Sequence, residues 1–186
     1  MHWRLNSFVQ QVFAIRPISI GEEICVQYMD LDLPRASRQA QLLTKYSFTC
    51  TCWSCSLPAQ ESLRSDIRRN LISSIKSNPE DESELNMWVT NTSLPDDHII
   101  KQSKRVVEMM DAEKIYPEHV WPAHYQRLCK AYCALGDSEN ARVWAEKAAV
   151  MTTICKGDDA GWGKVAAAPQ NTTWWGLRTK AIEQSA

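Results

Sequence analysis

The run Cys50-Thr51-Cys52-Trp53-Ser54-Cys55 constrains this chain more than any other feature. Side chains two apart in extended backbone point to opposite faces, so Cys50 and Cys52 do not readily close on one another as a disulfide. Thiolates at such short spacing wrap instead around one soft divalent ion, and Zn²⁺ takes four ligands in a tetrahedron. The run supplies three. A fourth must come from elsewhere, which makes the motif a staple between two parts of a protein. The competing explanation, three unrelated or disulfide-bonded cysteines, sits poorly with an odd total of seven and no apolar N-terminal signal stretch. Cys25, Cys129, Cys133 and Cys155, with His98, His119 and His124, are the remaining ligand types. None stands at a telling spacing, so the fourth ligand is not identified.

At 186 residues the chain is long enough for one ordinary domain or two small ones. A net charge of −1 gives no electrostatic case for nucleic-acid or acidic-membrane binding. No stretch approaches the length of a membrane span. The composition is that of an intracellular protein, with no basic cluster to choose between nucleus and cytoplasm. Tryptophans at 88, 121, 144, 162, 174 and 175 read as core anchors of a helical region.

Residues 8 to 15 are apolar and β-branched, Pro17 interrupts them, and Gly21 marks a turn before Ile24-Cys25-Val26-Gln27-Tyr28 resumes as a short strand. Such a pair of strands buries no core by itself. From Asp32 the pattern turns helical: Asp32 can cap, Pro34 suits an early position, and Ala36, Ala40 and Leu43 follow up to about Tyr46. A second helix is expected over residues 60 to 77, with Leu63, Ile67, Leu71 and Ile75 at steps of four, ended by Asn78-Pro79. A third is expected from Asp96 to about Lys114, carrying Ile99, Ile100, Val106, Val107 and Met110.

Residues 120 to 154 form the clearest unit. Tyr125, Leu128, Cys129 and Tyr132 make one helical stripe, Gly136-Asp137 breaks it, and Ala141, Trp144, Ala145 and Ala148 make the next. Alanines at the contact positions let two helix axes approach closely. The order resembles a tetratricopeptide helical hairpin, of which a single copy must stack on neighbouring helices to bury its face. Beyond Lys156, one more helix and a packed tail are expected.

In order, the chain thus carries Gly21-Glu22-Glu23-Ile24 leading to Tyr28, a short helix, then Tyr46-x-Phe48-x-Cys50-x-Cys52-x-x-Cys55, then helices. This resembles the C-terminal end of a SET domain with its post-SET zinc loop, in the branch that joins SET, MYND finger and a helical C-terminus, or its fungal relatives. SET domains are S-adenosylmethionine-dependent protein lysine methyltransferases. The resemblance implies an α+β, mainly α fold: a small β remnant of a SET domain over residues 1 to 45, the zinc loop over 46 to 58, and a tetratricopeptide-like helical domain over 59 to 186. It implies that Tyr28 points its hydroxyl at the reacting centre, that Tyr46 lines the channel for the target lysine, and that Phe48 packs near the cofactor adenine. Cys50, Cys52 and Cys55 match the zinc ligands, the metal being structural. The partner implied is a protein lysine substrate, histone or otherwise, and a peptide partner on the helical domain is a further expectation.

The family's Gly-x-Gly and Asn-His-x-Cys segments, which hold the cofactor and supply a fourth zinc cysteine, are not found. His2 does not replace them, because no Asn-His pair surrounds it. The reading is therefore of an N-terminally shortened methyltransferase that is inactive alone. The alternative is a non-catalytic helical interaction module with a degenerate zinc loop.

Overall fold

The computed structural model describes residues 2–4, 9–15, 17–24, 27–75, 82–118 and 120–185. Its elements are β1 (His2–Arg4), β2 (Val9–Gln11), α1 (Arg35–Tyr46), α2 (Ala59–Ser74), α3 (Ser83–Thr90) and α4 (His98–Glu113). They continue with α5 (Trp121–Ala134), α6 (Ser138–Lys156), α7 (Trp162–Ala167), a 3₁₀ turn (Pro169–Asn171) and α8 (Leu177–Ser185). The chain divides into two compact units, one of residues 1–17, 77–107 and 118–186, the other of residues 18–76 and 108–117.

The expected α+β architecture is corrected: the chain is helical. Among the described residues the only paired strands are the three-residue β1 and β2, antiparallel with Trp3 opposite Gln10. Among the described residues there is no SET-type sheet, and neither 22–24 nor 27–28 is strand; residues 25 and 26 of the expected strand lie outside the described residues. The physical reason lies in the ladder. An extended segment is fixed by a neighbour that takes its backbone hydrogen bonds, and a two-stranded ribbon is marginal in water. Ile20, Ile24 and Tyr28 all lie exposed.

In the first unit, α5 and α6 form the expected antiparallel hairpin. Leu128, Cys129, Ala141, Ala145 and Ala148 are fully buried. Gly136 takes a left-handed φ of 75° at the turn, and the Asp137 side chain accepts the Asn140 amide at 3.0 Å to cap α6. The tail is more structured than the sequence suggested, with α7, the 3₁₀ turn and α8 all formed. Trp162 stacks flat on Trp174 at 6.1 Å. Helix α3, over residues given no element in the sequence analysis, buries Leu85 and Trp88.

In the second unit, two expectations change. Asp32 does not cap α1; its first free amide, that of Arg35, donates to Asp66 Oδ1 of α2 at 2.7 Å. The apolar stripe of α2 also faces the other way. Leu63 and Ile67 are 63% and 52% exposed, Leu71 is exposed as well, and the buried face carries Ser62, Ser65, Arg69 and Ile72. The steps of four identified a helix correctly, but polar partners set which side turns inward.

Candidate functional site

The end of α1 sets up the cysteine loop. Ser47 adopts a left-handed φ of 57° and its amide closes the helix on Leu43 O at 3.0 Å. The Gln39 side chain then clamps the loop as a strand partner would: its Nε2 donates to Cys50 O at 2.7 Å and its Oε1 accepts the Cys50 amide at 2.9 Å. Further on, Cys52 O accepts the amides of both Cys55 and Ser56 at 3.0 Å, a tight turn that brings Cys55 back toward Cys52. Ser56 Oγ donates to Thr51 O at 2.9 Å.

These bonds gather the three thiols so that all Sγ atoms lie within 4.8 Å of one another. Zn–S bonds of about 2.3 Å in a tetrahedron place sulfurs roughly 3.8 Å apart, so a small inward movement accommodates the ion. The donor set fits a soft divalent metal. Among the described residues no fourth Cys, His, Asp or Glu joins the group, so Cys129, Cys133, Cys155, His98 and His124 stand outside it. Cys25 and His119 lie outside the described residues.

The thiols are not equivalent. Burial, and the neighbouring Cys52, push Cys50 up to about 11. Cys52 shifts the other way. Burial opposes ionisation there, but the Cys55 and Ser54 amides and the neighbouring thiols favour its thiolate more.

Tyr46 and Phe48 immediately precede this loop in sequence, and Tyr28 joins them in space. Tyr28 meets Tyr46 edge-on at 5.1 Å between ring centroids and Phe48 at 6.4 Å. All three rings remain partly open to solvent, Tyr28 at 57%. Trp53, inside the cysteine run, is exposed too, with Lys114 Nζ at 5.2 Å over its ring.

Sequence reasoning missed the polar layer behind the loop. Arg38 donates to Leu33 O at 2.5 Å and Ser54 Oγ at 3.2 Å, and its Nη2 lies 3.9 Å from Cys55 Sγ. Arg69 donates to Ser54 Oγ at 2.8 Å and to Leu31 O. Glu113 accepts from Ser65 Oγ at 2.6 Å and from Arg68 Nε at 2.5 Å, and pairs with Arg69 at 3.1 Å. Burial and the neighbouring Arg38 lower the Arg69 pKa, against the opposing pull of Glu113 and Asp66. Nothing in the motif signals this layer, since α1 and α2 read as ordinary charged helices.

No protein-family model matches the chain, and no solved structure does. Curated proteins do. N-lysine methyltransferase SMYD2-A of Xenopus laevis is 33% identical over 61 residues, covering 33% of this chain and 14% of its own length. Histone-lysine N-methyltransferase set5 of Schizosaccharomyces pombe is 26% identical over 152 residues, covering 80% of this chain and 44% of its own. Protein-lysine N-trimethyltransferase SMYD5 of Homo sapiens is 39% identical over 59 residues, 30% of this chain and 14% of its own. The curated proteins this chain is similar to are SET-domain protein lysine methyltransferases. Several of them are SET-and-MYND proteins. The chain spans less than half the length of these relatives, and no helix among the described residues is long and apolar enough to cross a membrane.

Proposed function

We propose that this chain is part of an S-adenosylmethionine-dependent protein-lysine N-methyltransferase acting on a histone or non-histone lysine in nucleus or cytoplasm. On this reading residues 1 to 45 belong to the SET domain, 46 to 58 form its zinc loop, and 59 to 186 are the helical domain. The observation that carries it is the meeting of Tyr28 with Tyr46 and Phe48 at the root of a three-thiol loop, in a chain whose curated relatives are lysine methyltransferases.

S-adenosylmethionine, when bound, supplies the methyl group. The chain's own groups then have simple tasks. The Tyr28 hydroxyl oxygen accepts a hydrogen bond from the neutral lysine amine and so aims its lone pair. Tyr46 walls the approach and excludes water, which favours an oriented displacement. Phe48 offers one aromatic face to an adenine. The only polar groups these rings present are two phenol hydroxyls, so the remaining grip on the cofactor is assigned to other sequence. Cys50, Cys52 and Cys55 would hold a structural Zn²⁺, which would fix the loop's shape without a part in the transfer.

The test is methyl transfer from labelled S-adenosylmethionine to protein substrates, using the protein at the full length of its relatives. Tyr28→Phe is expected to lower turnover about a hundred-fold while zinc content is unchanged. Unchanged turnover removes Tyr28 from this role.

A second reading, a non-catalytic interaction module with a degenerate zinc loop, draws on the outward apolar stripe of Leu63, Ile67 and Leu71. Saturable binding of S-adenosylmethionine by the chain itself, measured calorimetrically, counts against that alternative.

A further inference from the structure

The cysteine loop rests on more buried positive charge than buried carboxylate can balance. Arg38 and Arg69 are 4% and 2% exposed, and both donate to Ser54 Oγ, inside the cysteine run. Glu113 is the only buried carboxylate among the described residues, and it is shared by Arg68 and Arg69. Asp66, half-buried, is turned to the Arg35 amide. Among the described residues no carboxylate pairs with Arg38. It donates to Leu33 O and Ser54 Oγ, and its Nη2 lies 3.9 Å from the sulfur of Cys55. A guanidinium does not shed its proton, and leaving one buried without counter-charge is costly.

A divalent ion on three thiolates carries a net charge of −1, and of those three sulfurs Cys55 Sγ is the one Arg38 faces. We propose that Arg38 is the outer counter-charge of the metal centre: it donates to the Cys55 thiolate, and metal loading is what balances it. The inference rests on the zinc-loop reading above. Hydrogen bonds to a ligand from behind orient it and tune the metal's hold, at about ten- to a hundred-fold in affinity. Ser54 ties the two guanidiniums into one layer, so Arg38 acts through Cys55 as a positioning residue, without touching the metal. The thiol protons displaced on loading leave to solvent.

Cobalt(II) is the probe, titrated into the reduced chain against a chromophoric chelator, with the sulfur-to-cobalt charge-transfer band as readout. Wild-type protein is expected to take up cobalt and develop the band; its failure to do so overturns the zinc-loop reading and the proposal together. Arg38→Met is expected to bind at least about ten-fold more weakly, with the band moved to longer wavelength because the thiolate has lost a hydrogen bond. Arg38→Lys is expected to recover most of the affinity. Wild-type affinity and an unmoved band in Arg38→Met overturn the proposal and leave the zinc loop standing. Should that variant lack helical circular dichroism, Arg38→Lys and Arg38→Gln make the same comparison. The charged variant is expected to bind about ten-fold more tightly than the neutral one, and equal affinities overturn the proposal.

Discussion

Glu113, in the last turn of α4, and Arg69, midway along α2, meet at 3.1 Å with both side chains out of solvent. Residues far apart in sequence are thereby held in one unit, because Arg69 also reaches Leu31 O and Ser54 Oγ while Glu113 holds Ser65 and Arg68. A pair of this kind adds little stability over a well-packed apolar substitute. Breaking it from one side is another matter, because the remaining charge stays buried.

Glu113→Gln is therefore expected to lower unfolding free energy by about 3 kcal/mol, measured by urea titration. A loss well under 1 kcal/mol would show that water reaches Arg69 once the carboxylate is gone.

His124 gives a pH dependence to the first unit. Burial chiefly, with Arg127 nearby and Glu84 opposing, lowers its pKa from 6.5 to about 4. As pH falls the unfolded chain takes the proton first. The contribution is thus fully present above about 6.5 and is lost progressively toward 4. By pH 5 the loss is expected to reach about 2 kcal/mol. His124→Gln should flatten the stability profile over that interval, and a profile of unchanged slope would exclude this residue as its source.

Metal loaded on the chain is expected to be labile. Three thiolates leave one tetrahedral position to solvent, and coordination by fewer protein ligands binds less tightly. Incubation with excess chelator, followed by zinc analysis of the protein, checks this. Stoichiometric zinc that survives prolonged treatment would mean a fourth ligand, for which Cys25 is the first substitution to make.

Sequence pattern carried the helices best where period and punctuation agreed. Tyr125, Leu128, Gly136, Asp137 and Ala141 mark the α5–α6 hairpin, and each occupies the place its chemistry suggests. Pattern failed where burial is decided by polar partners far along the chain. Leu63 and Ile67 lie outward because Ser65 and Arg69 turn inward to Glu113. The cysteine triplet was legible because its short spacing lets one tight turn bring the three thiols together, and Gln39, which clamps Cys50, was not, because an amide that mimics a strand leaves no periodic trace. The strand expected at Ile24 to Tyr28 had the right residue types, yet its described members Ile24, Gln27 and Tyr28 are not strand, and composition cannot report whether a ladder neighbour exists.

Arg178 provides the last prediction. It is nearly sealed from solvent in α8 and gathers the chain turn after α3. Its guanidinium donates to Trp88 O at 2.6 Å, Asn91 O at 2.8 Å and Leu94 O at 2.5 Å, and its Nε pairs with Asp96 at 3.1 Å. The group also lies 5.2 Å over the Trp88 ring, whose own Nε1 donates to Pro95 O at 2.9 Å. The Trp88 carbonyl near the end of α3 and the Asn91 and Leu94 carbonyls of the turn after it therefore share a single fork of donors. Arg178→Ala should leave the Trp88 and Leu94 carbonyls without this donor and cost about 3 kcal/mol. Lysine cannot reproduce the fork, so Arg178→Lys is expected to recover less than half of that loss. Thermal unfolding of the two variants, read by far-ultraviolet circular dichroism, decides it: if alanine and wild type melt together, the turn does not depend on α8.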